Sequence, residues 1–105
     1  MPNYAVVQNL LKEIEIPKDG TVRRTLRQDS RVKIVLLGLA GGQELSSHTA
    51  AVPAMLQVIH GEARVTLDGE EKELFSGSWL FMEANLPHAV YARTDVVLLL
   101  TMLLG

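Results

Sequence analysis

Short runs of apolar or alternating residues, separated by turn-forming residues, extend over most of the chain. They have strand length, several are rich in Val, Leu and Ile, and they lie at residues 21–27, 31–39, 55–60, 63–67, 79–83, 89–93 and 96–104. Gly, Pro, Asn and Asp stand between the runs, where each favours a turn for its own backbone reason. Many short strands at this spacing predict an all-β sandwich or barrel.

The clearest local prediction is a hairpin in the middle of the chain. Residues 63–67 alternate between small or apolar and polar side chains, and Asp68-Gly69 follows directly. An Asp-Gly pair suits the tight turn that joins two antiparallel strands. The charged residues 70–73 are therefore expected to form the solvated second arm of this hairpin.

One segment near the N-terminus has the pattern of a helix. Residues 4–14 carry apolar side chains at helical spacing, and Asn3 precedes them in a capping position. This pattern predicts a short N-terminal helix of at most three turns. Residues 13–16 alternate as a strand would, which counts against extending the helix further.

Length and composition describe a single globular domain. The chain has 105 residues, so residues 1–105 are treated as one unit, and a hydrophobic content of 48% is typical of a packed protein. No cysteine is present, which excludes disulfides, thiolate nucleophiles and thiolate metal sites. The formal net charge of −2 gives no electrostatic reason to expect a nucleic acid or a membrane as partner.

The chain also lacks the usual targeting patterns. Its first residues have neither the basic start nor the apolar run of a signal peptide. The most apolar stretch, residues 96–104, is much shorter than the about 20 residues that a membrane-spanning helix needs. We therefore expect a cytoplasmic protein.

The same apolar stretch raises a question of assembly. Residues 96–100 are apolar at successive positions, as in a strand that is covered on both faces. In a barrel one face of the strand looks inward, so the N-terminal segment or a second subunit must cover the other face. We expect a homodimer.

Few residues are able to carry chemistry. The three histidines are His48, His60 and His88, and the chain has no HExxH, P-loop, GxGxxG or GxSxG motif. His48 and His88 each follow a turn and enter a predicted strand. His60 precedes Gly61 at a turn, where an exposed or turn-supporting side chain is expected.

The spacing around two of these histidines resembles the cupin superfamily. Gly42 is followed after five residues by His48, and Gly61 closes the first motif at about residues 42–61. A second motif, at about residues 77–92, begins at Gly77 and contains His88. The resemblance implies a small single-domain barrel of the cupin 2 type, with a double-stranded β-helix or jelly-roll fold.

The chain departs from this family at the metal-binding positions. The family pattern implies two histidines and a glutamate from the first motif and one histidine from the second, as ligands for Fe, Mn, Ni or Zn. His48 and His88 occupy two of these positions, whereas Ala50 and Ala54 occupy the other two. The divalent metal site implied by the resemblance would need a third ligand, such as Glu44, which shares the parity of His48 if its strand stays extended, or Glu83.

Two further positions follow from strand geometry and turn shape. Gln57 is three residues from Ala54, so it should face the opposite side of its strand. Asn85 stands where the family has a glycine in the second motif, and Asn tolerates the positive φ that such a glycine supplies.

The two alanines favour an apolar cavity at the histidines. Small β-barrels are wide enough inside to hold one small molecule, and we expect a ligand cavity lined by His48, His88, Ala50, Ala54, Leu56, Val58, Met82 and Val90. We favour binding of a small molecule there, without a tightly held metal. Two alternatives remain: a cupin-type metalloenzyme (dioxygenase, isomerase or decarboxylase) completed by Glu44, Glu83 or water, and a metal-free enzyme using either histidine as general acid or base.

Overall fold

Two antiparallel sheets account for most of the structure. The structure, a computed structural model, describes residues 3–105. Within these residues the strands are β1 (Thr21–Gln28), β2 (Val32–Leu39), β3 (Glu44–His48), β4 (Ala54–His60), β5 (Glu62–Leu67), β6 (Glu70–Phe75), β7 (Trp79–Met82), β8 (His88–Ala92) and β9 (Val96–Leu103). The first sheet has the order β1-β2-β9-β4-β7 and the second has the order β3-β8-β5-β6. The predicted all-β jelly-roll barrel is confirmed.

The core lies between the two sheets and follows the alternation of the strands. In β2, Val35, Leu37 and Leu39 point inward, and the second sheet contributes Val65 and Val90 to the same cluster. No polar or charged side chain is buried among the described residues. Burial of these apolar side chains supplies the main driving force that holds the sheets together.

The predicted hairpin is present with the predicted turn. β5 and β6 pair in antiparallel register, with Leu67 opposite Glu70. The two turn residues both have positive φ, 50° at Asp68 and 87° at Gly69, as the tight hairpin turn requires. The arm that begins at Glu70 is largely exposed, as its charges predict.

The N-terminal helix is much shorter than predicted. Only Leu10–Glu13 is helical, as a single 3₁₀ turn, and the following Ile14 is already extended. Its cap is Asn9, whose Oδ1 accepts a hydrogen bond of 3.1 Å from the backbone N of Leu11, so the prediction of Asn3 as the cap is wrong. The helical spacing of residues 4–14 is overridden because the segment has to cover a sheet.

That cover lies on the outer face of the first sheet. Gly38 points outward from β2, and a Cβ built on it would lie 3.0 Å from the Cγ1 atom of Ile16 and 3.3 Å from the Cδ1 atom of Ile14. The neighbouring outward residues Leu36 and Val97 are buried, with 0% and 3% of their surface exposed. Residues 3–17, here called the strap, therefore provide one of the two covers expected from the sequence.

Within the described residues, no helix has the length and apolar character that crossing a membrane would require.

Two glycines with similar backbones allow a test of the packing between the sheets. Gly61 and Gly69 have φ of 90° and 87°, so alanine at either position costs about 1–2 kcal/mol of backbone strain. A Cβ on Gly61 would also overlap the backbone oxygen of Asp95, whereas a Cβ on Gly69 would meet nothing within 4 Å. Gly61→Ala is expected to lower the free energy of unfolding by about 1–3 kcal/mol more than Gly69→Ala, because of overpacking. Urea unfolding followed by circular dichroism measures the difference, and equal losses would contradict the close approach of Gly61 to Asp95.

Candidate functional site

A β-bulge turns His48 to the inner face of the second sheet, at its exposed end. Leu45 pairs with Val90 and His48 pairs with His88, so three steps along β3 match two steps along β8. Paired residues of neighbouring strands share a face of the sheet. Because the bulge adds one residue to β3, Leu45 and His48 lie on the same face although they are three positions apart. Leu45 packs against the core, and His48 points to the same side. Residues 44–48 were not among the predicted strands.

The structure brings the two motif histidines together. The ring centroids of His48 and His88 are 4.2 Å apart, and the rings meet edge to face at 61°. His88 is half-buried and His48 is exposed. Both lie at the end of the barrel where β3 ends and β8 begins, here called the mouth. His60 is exposed at the end of β4, where it pairs with Val97.

Backbone carbonyls fix the orientation of both imidazoles. The Nδ1 atom of His48 lies 2.8 Å from the carbonyl oxygen of Ser46, and the Nδ1 atom of His88 lies 2.8 Å from that of Leu86. A carbonyl oxygen only accepts hydrogen bonds, so each Nδ1 carries the hydrogen and donates it. The Nε2 atom of each neutral ring then keeps a lone pair, which accepts a hydrogen bond or binds a cation.

The two glutamates proposed as third ligands do not join this pair. Glu44 pairs with Tyr91, and the bulge that turns His48 inward leaves Glu44 on the outer face, so its expected shared parity with His48 is wrong. Tyr91 faces outward too, where its ring centroid is 5.0 Å from the guanidinium carbon of Arg64. Glu83 is exposed in the loop after Met82. In residues 3–105, no group of three or more His, Cys, Asp or Glu side chains is arranged to hold a metal ion.

The two alanine positions have different surroundings. Ala54 is buried in the core and pairs with Met82 and with Met102. Ala50 is half-buried, and its carbonyl oxygen accepts a hydrogen bond of 2.7 Å from the backbone N of Asn85. This bond joins the two motifs. Asn85 has a φ of 68°, so it takes the glycine conformation that its position predicts.

The apolar residues expected to line a cavity are all buried and belong to one packed core cluster: Ala54, Leu56, Val58, Met82 and Val90. Ala54 begins β4, Met82 ends β7 and Val90 is two residues after His88 in β8, and these three are here called the floor of the mouth. Leu67, Leu86 and Met102 pack against the same cluster, and Leu67 pairs directly with His88. None of these three was predicted from the sequence, although the alternation of residues 63–67 is consistent with an inward Leu67.

Outside the mouth, two carboxylates have structural roles. Hydrogen bonds from the backbone N atoms of Arg31 and Val32 lower the pKa of Asp29, which closes the turn between β1 and β2. The hydrogen-bonded guanidinium of Arg93 lowers the pKa of Glu73. Because both pKa values are lowered by folding, their stabilising effect is present above the ordinary carboxyl range and is lost as the pH falls through the folded-state values.

Comparison with known proteins gives one consistent family. The sequence model described as "Cupin domain" matches residues 35–103. A conserved protein of unknown function from Streptococcus pyogenes is 32% identical, with a TM-score of 0.88, and the match covers 99% of this chain and 91% of that chain. A cupin superfamily protein from Desulfitobacterium hafniense DCB-2 is 24% identical, also with a TM-score of 0.88, and the match covers 100% of this chain and 95% of that chain.

A more distant structure shares the fold alone. Salicylate 1,2-dioxygenase from Pseudoaminobacter salicylatoxidans, solved as adducts with gentisate, is 18% identical with a TM-score of 0.75. The match covers 79% of this chain and 25% of that chain. No curated protein matches the chain.

The orientation of the imidazoles gives a direct spectroscopic prediction. In neutral rings of His48 and His88, the hydrogen is expected on Nδ1, because each Nδ1 donates to a carbonyl. Long-range ¹H–¹⁵N correlation spectra at alkaline pH distinguish a protonated Nδ1 from a protonated Nε2. His60, whose ring is exposed at a strand end, is the internal control. A protonated Nε2 on both mouth histidines would contradict the arrangement of the site.

Proposed function

This chain belongs to the cupin family, and we propose that it binds a small organic molecule at the mouth of its barrel, beside the paired rings of His48 and His88, without a tightly held metal ion. The observation that carries the proposal is the pair of imidazole rings in contact beside an apolar floor, each with its Nδ1 bonded to a backbone carbonyl so that its Nε2 remains as the acceptor. Ligand sites typically combine such an apolar lining with a few convergent polar groups.

The histidines define the polar part of the ligand. Two neutral imidazoles with protonated Nδ1 atoms present hydrogen-bond acceptors, so the matching ligand groups are hydroxyl or N–H donors. The half-buried position of His88 shields part of this contact from water. The buried side chains of Ala54 and Met82 give the carbon skeleton of the ligand an apolar surface to cover.

The donor set of the mouth does not fit a tightly held divalent metal. Catalytic zinc and iron centres generally use three protein ligands, and the mouth provides two imidazoles. Ala50 and Ala54 have no donor atom at the positions where the family pattern has ligands, and Glu44 faces outward. No third side chain in the described part of the chain completes the set.

Metal analysis of protein purified without added metal tests this proposal. Fe, Mn, Ni and Zn are each expected well below one equivalent, and His48→Ala is expected to leave the melting temperature in chelator nearly unchanged. About one equivalent of a metal that is lost in both His48→Ala and His88→Ala would overturn the proposal in favour of a cupin metalloenzyme.

Binding itself is followed in the same protein with a panel of small hydroxylated fragments. Ligands are expected to shift the imidazole resonances of His48 and His88 and to leave those of the distant His60 unchanged. Shifts of all three histidines alike, or of none, would contradict a site at the mouth. A bell-shaped pH–rate profile of the metal-free protein on any fragment would instead favour acid–base catalysis by the pair.

We further propose that the outer face of the first sheet binds a second copy of this chain. Trp79 and Phe81 of β7 point outward and are 57% and 43% exposed. With aromatic side chains of roughly 150–250 Å² each, the two expose on the order of 200 Å² of apolar surface at this edge of the sheet. A standard interface uses about 800 Å² per partner, so these two side chains supply the apolar centre of one.

The absence of charge among the strand residues beside Trp79 and Phe81 favours an identical partner. The outward residues beside Trp79 and Phe81 are uncharged, and they are Met55, Gln57, Leu99 and Thr101. In a two-fold interface each patch meets a copy of itself, and an uncharged apolar patch does so without opposing like charges.

The single tryptophan reports on this association directly. Trp79 is the one Trp of the chain, so its emission is expected to move to shorter wavelength as dimers form at higher protein concentration. Trp79→Glu or Phe81→Glu is expected to give monomers in sedimentation experiments. Phe75→Glu is the matched control, since Phe75 is 62% exposed on the second sheet. A wild-type monomer with constant emission at all concentrations would contradict the proposal.

A further inference from the structure

A lysine lies on the inner face of the barrel at the mouth. Lys33 is two residues before Val35 in β2, so it has the same inward parity as the core residues of that strand. Its partner across the sheet is Met102, which packs against the core. Met102 in turn pairs with Ala54. Lys33 is thus the inward-facing residue of β2 nearest to the mouth, in line with Met102 and Ala54 across the first sheet.

The topology places this lysine across the barrel from the histidines. A cleft between the sheets is lined by Leu37 of β2 and Leu45 of β3, so these two strands face each other. From that cleft, β3 continues to the mouth and ends at His48, and β2 reaches the same end at Lys33. Sheets that pack face to face lie about 10 Å apart, a distance that a small molecule spans.

Lys33 also differs from the other lysines of the chain. The other three, Lys12, Lys18 and Lys72, are exposed, whereas Lys33 is half-buried. The ion pairs of residues 3–105 all use an arginine, so none of them neutralises Lys33. An anionic group on a ligand would therefore find this ammonium free to form a charge-assisted hydrogen bond.

We infer that the ligand of the mouth is a small carboxylic acid that carries a hydroxyl group on an apolar skeleton. The carboxylate pairs with Lys33 on the first sheet, the hydroxyl donates to Nε2 of His48 or His88 on the second sheet, and the skeleton covers the floor. This inference rests on the proposed function and adds the chemical class of the ligand.

Three probes with one carbon skeleton separate these contacts. 3-Hydroxyhexanoate has both polar groups, hexanoate lacks the hydroxyl, and 1,3-hexanediol lacks the carboxylate. A hydrogen bond to a charged group is worth about 1.5–3 kcal/mol, so the hydroxy acid is expected to bind the wild-type protein at least about tenfold more tightly than the diol. Affinities are measured from the imidazole shifts of His48 and His88.

Variants assign each contact to a residue. Lys33→Met keeps an unbranched apolar stem, and it is expected to weaken 3-hydroxyhexanoate about tenfold and to leave the diol unchanged. Lys18→Met is the control at an exposed lysine and should change neither. His88→Ala is expected to weaken both hydroxylated probes, and circular dichroism checks that each variant is folded.

The outcomes distinguish this inference from the proposed function. Equal binding of the acid and the diol, or acid binding that Lys33→Met leaves intact, would overturn the carboxylate contact while the site at the histidines stands. Absence of binding by all three probes would overturn both.

Discussion

The bulge in β3 is the constraint on which the candidate site depends. Leu45 has to face inward because it packs on the core, and in a regular strand His48 would then face outward. The extra residue between the paired positions keeps both side chains inside. Ser46 lies within the bulge, and its carbonyl oxygen accepts the Nδ1 hydrogen bond of His48. The distortion that turns the imidazole to the inner face therefore also fixes which nitrogen carries the hydrogen when the ring is neutral.

The sequence predicted features that depend on local chemistry or on uninterrupted alternation. The Asp68-Gly69 turn and the positive φ of Asn85 follow from backbone preferences of single residues. Gln57 faces outward as predicted, because its strand alternates regularly between it and the core. Glu44 was misplaced because the bulge is set by pairing with β8, and nothing in residues 44–48 alone indicates it.

The N-terminal segment shows the same limit in another form. Its apolar spacing suits a helix, yet a helix there would leave the outer face of β2 uncovered. Ile14 and Ile16 instead alternate along an extended segment and pack where Gly38 has no side chain. The gain from covering Leu36 and Val97 exceeds the small intrinsic preference for a helix, which is a few tenths of a kcal/mol per residue. Tertiary packing thus decided the conformation that local propensity left open.

In the proposed metal-free site, the pair of histidines favours a different kind of ligand group from the one that a metal-bound pair would favour. When a metal is bound, the Nε2 lone pairs of two imidazoles coordinate the cation. Without a metal, the same lone pairs accept hydrogen bonds and repel an anion. A ligand anion must then contact a positive group elsewhere at the mouth, and Lys33 on the facing sheet is half-buried at that end. The proposed site is therefore asymmetric, with hydrogen-bond acceptors on the second sheet and a positive charge on the first sheet. A ligand with one donor end and one anionic end fits in a single orientation, whereas a symmetric diol or diacid leaves one of the two sides unmatched.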